Sequence, residues 1–483
     1  MGQKITIEPV TRVEGHGKVT IHLDNDGQVT QTRLHIVEFR GFERFVQGRP
    51  YWEAPVLVQR LCGICPVSHH LAAAKALDVI VGAGTGEGLT PTGEKMRRLM
   101  HYGQIFQSHS LHFFHLASPD LLFGIDADPV KRNVLALALE NKDLAVQGVM
   151  MRKFGQEIIA ATAGKKIHGT GAIPGGINKH LSAEDKERLL NGPAPLNIDS
   201  MIDWSLAALE FFDDYHEKNK GVIDQFVEFP SSYLSLVRKD GALDLYHGVL
   251  RAKDSKGSII LHDVDYQDYY KYIDEEVRNW SYMKFPYLKE LGKQEGWYSV
   301  GPLARLNNAE FIDTPLAQKE FEKFKAYTKG GLNHMPMHAH WARLIEILHA
   351  AEKMKELLQD PDLMEGELII KGMKKMEGVG LLEAPRGTLF HHYKINEQDQ
   401  IKMCNLIVST TNNNQPMNEA VNQVAKKMMT GKEEITEAMM NAVEVAIRAY
   451  DPCLSCATHA LGQMPLEISL YNGDKLLHKK RNI

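Results

Sequence analysis

The chain has 483 residues, 43% hydrophobic and 24% charged, proportions that supply a sizeable core and exclude global disorder. Its 56 Lys and Arg against 61 Asp and Glu leave a formal net charge of −5, which argues against a nucleic-acid footprint or a polybasic membrane anchor. No stretch reaches the ~18 apolar residues of a membrane span, and the N-terminus runs into an alternating pattern instead of a signal core; the expected location is the cytoplasm.

In chain order, Lys18 to Leu23 alternates, Asn25-Asp26-Gly27 reads as a turn, and Val29 to Val37 alternates again, which predicts a β-hairpin. From about Leu71 the period becomes helical. Helices are expected over 92–120, 129–163, 200–228, 315–328 and 338–358, the last with an apolar stripe of Trp341, Leu344, Ile345, Ile347 and Leu348. A second β region is expected from Tyr246 to Asp265, around Ser255-Lys256-Gly257. A third covers Thr388 to Ile395 and Ile401 to Val408, with a polar turn at Asn396–Gln400. Two helices, 416–430 and 434–449, precede a basic tail at 460–483. No internal repeat, low-complexity linker or abrupt composition shift divides the chain. The expected fold class is α+β: a single large, mainly helical domain over 1–483, with a long helical bundle and small peripheral β-sheets.

Five cysteines make no disulfide framework. Four form two CxxC pairs, Cys62-Gly63-Ile64-Cys65 and Cys453-Leu454-Ser455-Cys456, and Cys404 stands alone in a strand as a buried small hydrophobe. Two-residue spacing lets both sulfurs of a pair reach one metal from a tight turn or helix start. Four thiolates select zinc, iron, nickel or copper(I), so a structural zinc site and a four-thiolate iron–sulfur cluster are both open. Three features disfavour a closed zinc site. The pairs lie at opposite ends of the chain, each is followed by a histidine (His69, His459), and each has a charged residue beside it (Arg60, Asp451).

Two glycine-rich stretches carry little. Gly82 to Gly88 has Glu87 where a GxGxxG fingerprint needs glycine, and it follows helical sequence. Gly169 to Gly176 lacks the Lys-Ser/Thr of a P-loop. Any nicotinamide therefore binds elsewhere, and no further cysteines are left for an electron relay.

The cysteine motifs, with Arg12-Val13-Glu14-Gly15-His16, Arg40-Gly41-Phe42-Glu43 and Glu383-Ala384-Pro385-Arg386-Gly387, resemble the large subunit of nickel–iron hydrogenases over essentially the whole chain. Val37 to Phe42, Trp280 to Tyr287 and Asp451 to Leu466 look most similar to the large subunit of cytoplasmic NAD-reducing hydrogenases. The resemblance implies that Cys62, Cys65, Cys453 and Cys456 bind nickel, with Cys65 and Cys456 bridging to an iron that carries one CO and two cyanides. It implies reversible heterolytic H2 oxidation, with Glu14 transferring protons beside Cys453. Arg386, next to Pro385, is implied over the metals in an orienting and electrostatic role, with Asp451 orienting it and Thr410 donating to a cyanide. Glu43, a carbonyl at Leu406, and His459 match a second, magnesium-type site. His69 is expected to support a cysteine sulfur. Ser108 stands where the family often has an aspartate, so the canopy over the metals carries one charge fewer. The implied partners are a small subunit with iron–sulfur clusters, flavin/NAD diaphorase subunits, and a maturation endopeptidase that removes Ala460–Ile483 as a propeptide. NADP, deazaflavin or ferredoxin as acceptor, and a zinc-stapled assembly role, are the alternatives.

Overall fold

In the computed structural model, residues 3–83 and 88–458 are described in full, and 466–472 and 475–482 by their backbone. The N-terminal sheet forms as the alternation predicts. Strands β1 (Lys4–Ile7), β2 (Gly17–Leu23) and β3 (Val29–Ile36) pair antiparallel in that order. A period of two sends Val19, Ile21 and Leu34 to one wholly buried face. Asp24 closes the β2–β3 turn by accepting from the amides of Asp26 and Gln28, both at 2.9 Å.

The bundle is built from α1 (Pro66–Ile80), α2 (Pro91–Leu111), α3 (Lys142–Ala163), α4 (Ile198–Lys218) and α5 (Ala339–Gln359), with α6 (Asn414–Met429) and α7 (Glu437–Ala449) closing it. Local chemistry sets the ends. Thr90 caps α2 by accepting from Gly93 N at 3.1 Å, and Asn197 caps α4 by accepting from Ser200 N at 2.9 Å, each satisfying an amide that has no partner inside its helix. The expected helix over 92–120 is interrupted by a π-helical turn, His112–Ala117. There His112 Nε2 reaches Arg448 O at 2.9 Å and the ring stacks on His340. The expected helix over 129–163 breaks at Asn141, and that over 200–228 stops at Lys218.

Strands β4 (Ser232–Val237), β5 (Val249–Lys253) and β6 (Ile259–Val264) pair antiparallel in one sheet, which the short strand Tyr298–Ser299 joins parallel to β4. Strands β7 (Glu377–Ala384), β8 (Gly387–Ile395) and β9 (Ile401–Ile407) form a second. The hydropathy pattern does not predict β4 or β7. Both are buried almost throughout, so the alternation that betrays a half-exposed strand is missing. β7 lies on α1 at backbone contact: a Cβ on Gly380 would fall 2.0 Å from Ala72 O. That approach places the N-terminus of α1, where Cys65 is the N-cap residue, against the β7–β8 turn that carries Arg386.

The described structure is α+β, a buried helical bundle flanked by small sheets, as the sequence predicts. Its largest apolar cluster runs from Ile5 to Ala457, and residues from both ends of the chain share it. Inside the bundle His216 and His338 both direct Nε2 at Asp224 Oδ1, at 2.6 and 2.8 Å. Met335 N donates to Asn333 Oδ1, which turns the Asn333 amide NH2 onto His338 Nδ1 at 2.7 Å. His338 therefore carries its proton on Nε2 and donates it to Asp224. The trio is a hydrogen-bonded clasp between α4 and the start of α5.

Candidate metal centre

Two tight turns bring four sulfurs together. After Cys62 the backbone folds back, and the amides of Ile64 and Cys65 both point at Cys62 Sγ from 3.2 Å. At the other end of the chain, Cys453 pairs with Glu14 in an isolated parallel bridge, and a turn at Ser455–Ala457 returns Cys456. Cys453 Sγ lies 3.3 Å from Cys62 Sγ and 2.6 Å from Cys456 Sγ. All four sulfurs fall within 4.8 Å of one another, and all four residues are buried. Burial opposes charge at Cys62, Cys453 and Cys456. At Cys62 hydrogen bonds from the other thiols overcome it and hold this group well below the ordinary value, whereas Cys453 and Cys456 are pushed well above theirs. Four like charges at this spacing cannot coexist without a cation, and a cation that binds thiolates removes the penalty. The donor set therefore fits a soft or borderline metal.

A small cavity opens over the cluster, bounded by Cys65, Cys453, Ser68, His69, Pro385, Arg386 and Thr410, with Ala384, Leu389 and Val408 as its apolar wall. Arg386 enters from the β7–β8 turn. Its Nη2 donates to Asp451 Oδ1 at 2.9 Å and its Nη1 to Ser108 Oγ at 3.3 Å, so Ser108 does face the arginine. Burial opposes its charge, but Asp451 and the cysteine sulfurs outweigh burial and hold the guanidinium above its ordinary value. Arg386 is thus held charged over the cluster as a hydrogen-bond donor. Arg386 Nε and Ser68 Oγ are buried with no hydrogen-bond partner among the described residues. Thr410 Oγ1 accepts from Cys453 N at 2.9 Å, which leaves its own proton to donate. His69 lines the same cavity, with Nδ1 3.1 Å from His391 Nε2.

Glu14 meets the cluster at Cys453. Its Oε2 accepts from the Cys453 thiol at 2.9 Å. Leu454 N donates to Glu14 O at 2.9 Å, which ties the two backbones together. Glu43 Oε1 accepts from Leu406 N at 2.8 Å, so these two predicted partners are also adjacent. His459, the third member of that set, and the proposed cleavage point beside it lie outside the described residues, as do Gly84–Glu87 of the glycine-rich stretch.

Some supporting residues carry no signal in the sequence. Arg305 is wholly buried and bidentate to Glu346, 2.6 Å for each contact, and reaches Glu383 Oε2 at 2.9 Å. The same guanidinium donates to Ala384 O at 3.0 Å and Pro385 O at 3.3 Å, so it fixes the turn that aims Arg386. Nothing in the spacing around Arg305 marks it, because its partners come from two distant segments, Glu346 and Glu383–Pro385. Ser455 reads as a spacer between ligands, yet it bonds Glu14 twice.

A buried four-thiolate cluster under a buried arginine, closed by the two ends of one α+β chain, defines the catalytic chain of a metal-dependent redox enzyme. The chain belongs to the nickel-dependent hydrogenase family, whose model matches residues 40–150 and 247–459, with a HoxL-like model matching residues 4–39. It is 54% identical to the NAD-reducing hydrogenase HoxS subunit beta of Cupriavidus necator, over 98% of each chain. It is 41% identical to one chain of the F420-non-reducing hydrogenase of Methanothermobacter thermautotrophicus, over 99% of each. The structure superposes with a TM-score of 0.91 on an NAD+-reducing [NiFe]-hydrogenase in the H2-reduced state, at 54% identity, covering 95% of this chain and 99% of that one. Against the Ni-Fe-Se hydrogenase of D. vulgaris Hildenborough the TM-score is 0.72 at 25% identity, covering 95% and 100%.

Proposed function

We propose that this chain is the H2-activating subunit of a cytoplasmic NAD-reducing complex, running H2 + NAD+ to NADH + H+ in either direction. Cys62, Cys65, Cys453 and Cys456 would hold a nickel–iron centre whose iron carries one CO and two cyanides. The orphaned donor at Arg386 Nε and the spare hydroxyl proton of Thr410 suit two cyanides, and the wall of Ala384, Leu389 and Val408 suits a carbonyl. The bound group supplies the Lewis acidity and electron capacity for heterolytic H2 cleavage.

The chain's own residues handle the proton and the electrostatics. The observation that carries the reading is the 2.9 Å contact from the Cys453 thiol to Glu14 Oε2, which is within direct proton-transfer reach. A proton held on Cys453 Sγ passes to Glu14, a partly exposed residue, and leaves toward solvent. Arg386 stays charged and orients what binds in the cavity, with Asp451 and Ser108 fixing its two terminal nitrogens. Glu43, the Leu406 carbonyl and His459 would hold a magnesium ion, since carboxylate and carbonyl oxygens suit a hard cation. Electrons leave through an iron–sulfur small subunit to flavin-bearing diaphorase subunits. A maturation endopeptidase would cut after His459 and release Ala460–Ile483. Among the described residues no helix is long and apolar enough to cross a membrane.

The test is an infrared spectrum of the purified complex, already cut after His459. One carbonyl band with two cyanide bands is expected, together with H2-dependent reduction of NAD+ in preference to NADP+, deazaflavin or ferredoxin. A silent spectrum with zinc as the only bound metal would overturn the reading in favour of an assembly protein.

A further inference from the structure

We infer that Ser455 is a positioning residue for the proton acceptor: its hydroxyl clamps one oxygen of Glu14 so that the other stays aimed at Cys453. This rests on the reading that Glu14 takes the proton. The carboxylate makes three described contacts. Oε2 accepts from the Cys453 thiol at 2.9 Å and from Ser455 N at 3.2 Å, while Oε1 accepts only from the Ser455 hydroxyl. Two of these three come from one residue, placed between two of the four cysteines.

The two Ser455 contacts differ in what they decide. The backbone amide would be present with any residue except proline, and it falls on the same oxygen as the thiol. Without the hydroxyl, Oε1 keeps no described partner and the carboxylate can turn about its last bond. A partial turn carries Oε2 off the Cys453 line, whereas a full half-turn only exchanges two equivalent oxygens. Terminal carboxylate torsions are soft and broad, so a hydroxyl at the far oxygen is the element that fixes this one. Proton transfer between heavy atoms is sensitive to distance and orientation. Ser455 is itself largely buried, 7% exposed, so bulk water does not readily replace its hydroxyl.

The experiment uses the complete, metal-loaded complex carrying Ser455→Ala or Ser455→Thr, with Glu14→Gln alongside. Three quantities are read: nickel content with the CO and cyanide bands, H2 turnover with an artificial electron acceptor, and the solvent deuterium isotope effect on that turnover. Ser455→Ala should keep the metals and the infrared bands, lose about 10- to 100-fold in turnover, and show a larger solvent isotope effect as the proton step becomes limiting. Ser455→Thr, which keeps the hydroxyl, should return turnover to within about three-fold of the parent, about 0.6 kcal/mol on the barrier. Unchanged turnover and isotope effect in Ser455→Ala, with Glu14→Gln inactive, would overturn the positioning role and leave the Glu14 reading standing. Loss of nickel or shifted bands in Ser455→Ala would also overturn it, assigning the hydroxyl to the metal site instead. Full turnover in Glu14→Gln would overturn the proton reading and this inference with it.

Discussion

Gly15→Ala perturbs the contact between Glu14 and Cys453 without removing any polar group. Gly15 has φ of +83°, and a Cβ there would fall 2.6 Å from Ser455 N and 3.0 Å from the Leu454 Cβ. Ordinary contact begins at 3.4 Å, so the two backbones must separate by about 0.8 Å. The Leu454 N to Glu14 O bond, now 2.9 Å, then stretches beyond hydrogen-bonding range, and the Cys453 to Glu14 Oε2 distance lengthens with it. A left-handed alanine costs about 1 kcal/mol on its own, and the overpacking adds about 1–3 kcal/mol. A shift approaching 1 Å at a proton-transfer pair costs about 100-fold in rate, which is about 2.7 kcal/mol on the barrier. The assay is H2-dependent dye reduction by the purified complex, expressed per nickel so that incomplete metal loading does not count as lost catalysis. Turnover per nickel within two-fold of the parent would refute the argument that this backbone approach sets the proton-transfer geometry.

Three further outcomes follow from the same structure. Arg305→Met strips the counter-charge from Glu346 and Glu383, both wholly buried; a loss of about 3–5 kcal/mol in unfolding stability is expected, and Arg305→Met with Glu346→Met should recover part of it. Gly380→Ala drives a methyl into Ala72 O at 2.0 Å and should destabilise the chain by about 3 kcal/mol or more while lowering nickel occupancy, since β7 and α1 carry opposite walls of the site; normal stability and full occupancy would count against that link. Burial holds His70 and His349 at about 4 and His101 at about 3, below the unfolded value near 6.5. The folded state then binds fewer protons, so the stability these groups confer is complete above pH 6.5 and drains as pH falls toward 4, by up to ~1.4 kcal/mol per pH unit for each. A melting temperature that stays flat from pH 6.5 to 4.5 would contradict it.

The cysteine pairs were readable from residue order because metal ligation is a local chemical signature: two sulfurs three positions apart can bind one ion from a single turn. The first hairpin was readable because a half-buried strand leaves a period in the hydropathy, and α5 from its length and apolar spacing, although it is buried all round from Ala339 to Ala351. Resemblance to a family extended this to Glu14, Arg386, Asp451, Thr410, Glu43 and Leu406, and the structure brings them beside the cluster or beside one another in the groupings expected. Strands β4 and β7 left no period because burial on both faces erases it. The π-helical turn at His112–Ala117 carries a contact to Arg448, more than three hundred residues away. Arg305 and Ser455 were silent for the same reason. Their partners are assembled by folding, and a residue's chemistry becomes legible only when the groups it must satisfy are known. The sequence by itself determined which atoms could hold a metal. Tertiary structure decided which carboxylate oxygen faces which sulfur, because that depends on the close backbone approach between the two ends of the chain.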